Sequence, residues 1–294
     1  MRSATRRGLA VGFFDGVHLG HQAILGRAAA ALTFSSHPLE LLAPERAPRL
    51  LMGLDDRIAA IRACGVGRVV VMDFTRELAA MPAEAFADAL PEEGKSGGVL
   101  CGDNWRFGAG GRGDAAFLRA RGVAVEVVPY ASWRGERISS TRVRAALEAG
   151  GMGDAAAMLG RPWSARGEVF AGKGLGSRIG FPTVNVRLAG LQLRLRRGVY
   201  AVEACGRRGV ANYGVAPTMG EGAWPEPVLE VHFPGCGPAP SPAAGESLSV
   251  AFLRFLRPEM RFRSVDELRR RIAADCEALA SQDGAGPATA QDLI

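Results

Sequence analysis

Lysine is nearly absent from this 294-residue chain. Lys95 and Lys173 are the only two, so almost all of the basic charge is arginine, spread along the sequence. A net charge of +6 would suit nucleic acid, yet no helix-turn-helix pattern, zinc finger or basic arm accompanies it. The densest run, Arg269-Arg270-Arg271, falls in a segment of helical periodicity and reads as a solvated face. A small phosphorylated ligand accounts for the basic balance at least as well, so no nucleic-acid partner is expected. Long hydrophobic runs are also missing. No stretch approaches the roughly 20 apolar residues of a membrane span, and no membrane partner is expected. The basic start, Met1–Arg7, is followed by an apolar run that ends at Phe14, beside Asp15. That is too short for a secretory core, so the protein is expected to be cytoplasmic. The five cysteines are scattered and odd in number, with no Cys-x-x-Cys. Neither a disulfide framework nor a thiolate zinc site is indicated. Internal repeats are absent too.

What is present is enough for two packed domains: 48% hydrophobic and 22% charged residues over 294 positions. The first half alternates short apolar runs with helical patterns. Strands are expected at Leu9–Phe13, Ala31–Phe34, Arg68–Met72, Gly98–Cys101 and Val123–Val128. Helices fit between them at Leu19–Ala30, Asp55–Cys64, Pro82–Leu90 and Asp114–Arg121, with Asp starts and Gly stops as caps. Such alternation predicts a doubly wound α/β domain built on a parallel sheet. Helices at Ser139–Glu148 and Gly153–Leu159 close it, giving a domain over residues 1–159. From Trp163 the pattern changes to short strands at Ala165–Phe170, Val199–Ala204, Arg208–Tyr213, Val228–Phe233 and Ser247–Phe255, separated by Gly/Pro-rich turns. This predicts an all-β barrel over residues 163–280. A C-terminal helix at Val265–Leu279 follows Ser264 and Glu267 at capping-box spacing. Residues 281–294 are polar and patternless, and are expected to be disordered.

The chemistry of the first half starts at Gly12-Phe-Phe-Asp-Gly-Val-His-Leu-Gly-His21. Its two histidines, His18 and His21, stand three apart at a helix start and can face one ligand. Gly12, Gly16 and Gly20 let a phosphate chain approach the backbone closely. Imidazoles there suit stabilisation of charge on a transferring phosphorus. The string resembles the Gly-x-Phe-Asp-x-x-His-x-Gly-His signature of the cytidylyltransferase-like nucleotidyltransferases, which have a Rossmann-like fold. Ile138-Ser-Ser-Thr-Arg142 resembles the same superfamily's phosphate grip. The resemblance implies nucleotide contacts from Gly12, Phe13, Asp15, Gly20, Ser139, Ser140 and Thr141, with His18, His21 and Arg142 acting on the transferred group. Locally, Ser140 or Thr141 can cap the helix that follows.

Two further segments narrow the family. Thr33-Phe-Ser-Ser-His-Pro38 and Gly102-Asp-Asn-Trp-Arg-Phe-Gly108 resemble the His-Pro turn and the Gly-x-Asn/Asp-Phe-x-Phe-Gly loop of bacterial FAD synthetases. That implies flavin contacts from His37, Pro38 and Asn104, and Phe107 offers an apolar face for a ring. The chain departs from the pattern at Phe13 (commonly Asn), at Ser36 (commonly Pro), in the short segment between His21 and Thr33, and in the Pro/Gly-rich loop 234–245.

In the second half, Gly172-Lys-Gly-Leu-Gly-Ser-Arg-Ile-Gly-Phe-Pro-Thr-Val-Asn185 is not a Walker A loop, because no Ser or Thr follows Gly-Lys at the required spacing. It resembles the Gly-rich Pro-Thr-x-Asn motif of riboflavin kinases. The resemblance implies a phosphate cradle from Gly172, Gly174 and Gly180, and Mg2+ held by Thr183 and Asn185. Oxygen ligands suit a hard cation that already carries phosphate oxygens. Leu229-Glu-Val-His232 resembles the family strand whose Glu is the base, which implies that Glu230 takes the proton from the riboflavin hydroxyl. Gly198-Val-Tyr, Gly209-Val-Ala-Asn-Tyr-Gly and Ala216-Pro-Thr resemble its neighbouring strands. Over residues 8 to 280 the chain therefore resembles the two-domain riboflavin kinase/FAD synthetases. ATP, riboflavin and FMN are the implied small-molecule partners, and self-association is left open. A chain with one surviving activity, the kinase first, and a non-catalytic flavin-binding regulator are the two rivals.

Overall fold

A computed structural model describes residues 6–172, 174–188, 193–214, 227–235, 240 and 242–280. The expected disorder of 281–294, the Ala216-Pro-Thr match and part of the 234–245 loop lie outside these residues. Contacts divide the chain into two units, the first reaching Arg142 and the second starting at Val143.

In the first unit, strands β1 (Leu9–Val11), β2 (Ala30–Phe34), β3 (Arg68–Met72), β4 (Val99–Gly102) and β5 (Val125–Val128) form one parallel sheet in the order β3-β2-β1-β4-β5. Leu9, Ala10 and Val11 are all buried, as a central parallel strand covered on both faces requires. Ala10 packs on one side with Leu25, Ile61 and Leu100. Leu9 and Val11 pack on the other with Leu32, Phe86 and Leu118. Burying each such Leu or Ile side chain stabilises the fold by roughly 1.5–3 kcal/mol. The covering helices are α1 (Leu19–Leu25), α2 (Pro38–Leu42), α3 (Leu54–Ala63), α4 (Arg76–Ala80), α5 (Ala83–Asp88), α6 (Glu92–Gly97) and α7 (Ala115–Ala120). Because β2 and β4 flank β1 on opposite sides, the order of connections reverses between β1 and β4. The crevice beyond their carboxyl ends is where such sheets take ligands.

Several boundaries differ from the sequence expectation for local reasons. β1 stops at Val11 rather than Phe13, because the chain turns through left-handed Phe14 (φ 58°) and Gly16 (φ 80°). α1 stops at Leu25 rather than Ala30, since the Ala29 and Ala30 amides donate to Gly8 O and lead the chain into β2. The short helices α2, α4 and α6 carry too few residues to show a period. An antiparallel hairpin, β6 (Ser132–Trp133) with β7 (Glu136–Arg137), separates β5 from α8 (Ser140–Ala149).

In the second unit, α9 (Met152–Leu159) packs on β8 and β13 of a closed barrel. Its strands are β8 (Trp163–Phe170), β9 (Thr183–Arg187), β10 (Gly198–Ala204), β11 (Arg207–Gly214), β12 (Val228–His232) and β13 (Ser247–Arg257), ordered β10-β11-β12-β9-β8-β13. Along β8 burial alternates residue by residue from Trp163, the period of a strand with one face inward. Trp163, Tyr200 and Phe252 meet in the interior with ring centroids 5.3 Å apart in each pair that includes Phe252. β9 is a strand the sequence reading missed, hidden inside the glycine-rich motif. A one-turn helix, α10 (Leu175–Arg178), lies in that motif. The terminal helix α11 (Val265–Ala280) is tied to β13 by a buried bidentate pair: Arg257 Nη2 and Nε donate to Asp275 at 2.6 and 3.0 Å.

Candidate functional site

The first cluster gathers at the crevice between β1 and β4. The Gly12 amide still donates to Leu32 O across to β2, after which the chain coils tightly through Asp15–Val17. Phe14 and Val17 both hold positive φ (58° and 42°) while buried to within 2% of full. For a β-branched residue that backbone is strained, and close packing over-determines it. The coil delivers His18 as the N-cap of α1, where Nδ1 accepts from the His21 amide at 3.3 Å. The two imidazoles stack, centroids 3.7 Å apart and planes 16° from parallel. A Cβ on Gly20 would sit 3.2 Å from the His18 ring, so glycine there gives the ring its place.

Burial pulls the His18 pKa down to about 4, with Arg137 adding repulsion. Burial, and then His18 itself, push His21 well below its ordinary value. Both rings are therefore neutral at neutral pH. Each keeps one N–H that can donate to a phosphate oxygen, and His21 Nδ1 has no hydrogen-bond partner among the described residues.

Asp15 ties the motif to its surroundings. Its buried carboxylate accepts from the Leu51 amide at 2.9 and 3.1 Å. Its carbonyl accepts from Ser140 Oγ at 2.8 Å, joining two motifs 125 residues apart. Ser139 caps α8, its Oγ accepting from the Arg142 amide at 3.2 Å. This corrects the expectation of Ser140 or Thr141 as the cap: Ser140 is turned to Asp15 instead. The Arg142 side chain is held by the hairpin, Nη1 donating to Glu136 O at 2.8 Å and Nε lying 3.2 Å from Glu136 Oε2.

The flavin-side candidates are placed by ordinary local chemistry. His37 caps α2 in a reciprocal capping box with Glu40, with Pro38 at the first helical position. The His37 ring meets the Phe13 ring edge-on at 4.8 Å. Asn104 is exposed, and its Oδ1 lies 3.5 Å from Arg137 Nη2, which also binds Asp103 at 2.7 Å. Phe107 is not a free face. It is 6% exposed, stacked on Trp105 and packed against Phe86, so it belongs to the core.

Sequence reading missed two residues of this cluster. Arg137 links the Asn104 loop to the hairpin and acts electrostatically on His18; its place directly before Ile138-Ser-Ser-Thr-Arg was the available signal. Arg57 lies in the first turns of α3 and is completely buried, its guanidinium carbon 3.9 Å from the Phe13 ring centroid. Burial pulls its pKa down to about 10 against the opposing pull of Asp15 and Glu40, so it remains a cation. An Asp-Asp-Arg inside an amphipathic helix gave no hint of that burial.

The second cluster sits on the barrel. Thr183 and Asn185 are two apart on β9 and so share a face, and β12 pairs Glu230 with Asn185 and His232 with Thr183. The glycine loop lies directly over them. A Cβ on Gly172 would collide with the Asn185 amide, and one on Gly176 would come 3.2 Å from Thr183 Oγ1. Gly174 and Gly180 adopt φ of 68° and 84°, which glycine takes without penalty. His232 Nδ1 lies 2.8 Å from the Pro182 carbonyl, fixing the residue before Thr183. Burial, and then the neighbouring carboxylate of Glu259, raise the Glu230 pKa. Among the described residues no group of three or more His, Cys, Asp or Glu forms a metal cage. The neutral oxygens of Thr183 and Asn185 fit a hard cation that arrives already bound to phosphate, and would not hold a soft metal.

A doubly wound unit with stacked neutral histidines after its first strand, and a barrel with a glycine loop over Thr183 and Asn185 beside Glu230, fit one class: a transferase with two ATP-using centres on one chain. Family models agree on both halves, FAD synthetase matching residues 2–142 and riboflavin kinase matching 159–282. The chain is 37% identical over 287 residues to the bifunctional riboflavin kinase/FMN adenylyltransferase of Escherichia coli (strain K12), covering 91% of this chain and 90% of that one. It is 37% identical over 292 residues to the Pseudomonas fluorescens protein of the same name (91% and 90% covered), and 30% identical over 288 to that of Bacillus subtilis (strain 168; 91% and 89% covered). A solved structure titled as a macrolide-efflux protein from Streptococcus pneumoniae aligns with TM-score 0.81 at 26% identity, covering 96% of both chains. No described helix here is long and apolar enough to cross a membrane. The chain belongs to the bifunctional riboflavin kinase/FMN adenylyltransferase family: it phosphorylates riboflavin to FMN and adenylylates FMN to FAD, using ATP.

Proposed function

We propose that the two reactions are divided between the two clusters, adenylylation within residues 1–159 and phosphorylation within 163–280. In the first, a phosphate oxygen of FMN attacks the α-phosphorus of ATP, the bond to the bridging oxygen breaks, and pyrophosphate leaves. His18 and His21 donate N–H bonds to the oxygens that gain charge, doing so as neutral groups. The backbone around Gly12, Phe13, Asp15 and Gly20, with Ser139, Ser140 and Thr141, receives the triphosphate. Arg142 would exchange Glu136 for a phosphate, a better bidentate partner. His37, Pro38 and Asn104 border the flavin.

In the second, Glu230 accepts the proton of the riboflavin 5′-hydroxyl as its oxygen bonds to the γ-phosphorus and ADP departs. Gly172, Gly174 and Gly180 cradle the phosphates. Thr183 and Asn185 would hold Mg2+, which when bound neutralises phosphate charge. The observation that carries this half is the register that sets Glu230 directly opposite Asn185, with Thr183 two residues away. The work is proposed to be cytoplasmic, on free small molecules, without nucleic acid or membrane.

Purified protein given riboflavin, ATP and Mg2+ is expected to yield FMN and then FAD. His21→Ala should stop at FMN, with FAD formation down at least a hundredfold. Glu230→Gln should make no FMN yet still adenylylate added FMN. A His21→Ala protein that makes FAD at the normal rate removes the N-terminal assignment. Normal riboflavin phosphorylation by Glu230→Gln removes the base.

A further inference from the structure

Arg57 is the one completely buried guanidinium among the described residues, and nothing in the adenylylation chemistry above uses it. Its surroundings are specific. Nη2 donates to the Phe34 carbonyl and lies 3.5 Å from that of Ser35, both at the carboxyl end of β2. Its guanidinium carbon lies over the Phe13 ring, and that ring and His37 meet in a T-shaped pair. Asp15 and Glu40 are the carboxylates that favour its charge, one in the histidine motif and one in the capping box of His37. Nε and Nη1 have no hydrogen-bond partner among the described residues.

A side chain that served stability alone would satisfy its donors or be apolar, because unpaired buried donors are costly. Here a buried guanidinium with two unsatisfied donors sits where three candidate segments converge: the turn after β1, the end of β2, and the cap of α2. The geometry points to Arg57 as a positioning residue for the FMN half of the adenylylation site, acting through Phe13 and His37. The guanidinium and His37 fix the Phe13 ring from two sides. The bond to Phe34 holds the end of β2, from which the His37 turn departs. FMN thus meets a surface already set in place. Phe13 and Asp15 face the triphosphate through their backbone, so a clamp on the Phe13 ring bears on the flavin, and His18, His21 and Ser139–Arg142 take no part in it. Fixing such a surface before binding tightens the substrate it serves and leaves the other alone. Arg57's role rests on the N-terminal cluster being the adenylylation site.

The test is a double-mutant cycle in the full-length protein, made of Arg57→Met, Phe13→Leu and the pair, read as separate KM values for FMN and ATP. Arg57→Met is expected to raise KM for FMN about tenfold, with KM for ATP and kcat within about twofold. Phe13→Leu should raise KM for FMN similarly. The pair should be no worse than the poorer single variant, since both remove one clamp. Arg57→Lys keeps the charge but loses the plane, and should fall between wild type and Met. If Arg57→Met does not fold, the same cycle is run with Arg57→Lys. Additive effects on KM for FMN, or equal rises in both KM values, overturn the proposal and leave Arg57 a structural residue. His21→Ala is measured beside them: loss of FAD formation there with an additive cycle rejects Arg57 alone, and retained FAD formation rejects the site and Arg57 together.

Discussion

At the residue scale, the unusual property of the N-terminal site is that its histidines are held neutral. Folded His18 sheds its proton at about pH 4, against 6.5 for the unperturbed side chain. Between those values the unfolded chain carries a proton that the folded one refuses, so stability present above pH 6.5 is lost as pH falls towards 4. The loss due to His18 is on the order of 3 kcal/mol. Hydrogen exchange of peptides covering β1 should quicken on acidification through this window, and His18→Asn, which keeps an N-cap acceptor, should flatten the response. Equal acid sensitivity in that variant would place the proton elsewhere. Glu230 behaves in the opposite sense. Burial and Glu259 raise its pKa, and a general base must be ionised, so kcat/KM for riboflavin phosphorylation should climb with pH through a midpoint above the ordinary carboxylate range. Glu259→Gln removes the like charge and should move that limb to lower pH. An unmoved limb would detach Glu259 from the site.

At the element scale, the functional parts are short pieces held by longer ones. α1 has seven residues, α2 five, and both are positioned by caps and by the strands before them. The barrel depends on α11, whose Asp275 takes three donated bonds from Arg257 in a site that is 5–9% exposed. Asp275→Ala leaves that cation buried and unpaired, and should destabilise the barrel unit by about 3–5 kcal/mol. Chemical denaturation followed by riboflavin phosphorylation would measure it, and a change below about 1 kcal/mol would show that water replaces the pair. Element existence was largely legible in the sequence: five strands of the sheet and five of the barrel fall within a few residues of their expected places. β9 is hard to read in the sequence because Thr183–Arg187 overlaps the end of the glycine-rich motif and is only five residues long. α2, α4 and α6 escaped because a helix shorter than two turns shows no periodicity.

At the scale of the whole molecule, local motifs and long-range geometry contributed differently. The two activities were implied by the resemblance of successive motifs to two families, and their order along the chain strengthened that resemblance. His18, His21, Thr183, Asn185 and Glu230 were all visible that way, because each belongs to a short string that resembles a family motif. Sequence alone determined the class of fold and, through the family resemblance of its motifs, pointed to the two reactions and most of the candidate residues. Only the tertiary structure decided that Ser140 turns to Asp15 while Ser139 caps α8, that Phe107 is core, that Arg142 rests on Glu136, and that Arg57 lies buried beneath Phe13. Those facts depend on which segments far apart in the chain come into contact and exclude water. Hydrogen-bond partners, burial and pKa are set by that contact and not by neighbours in sequence.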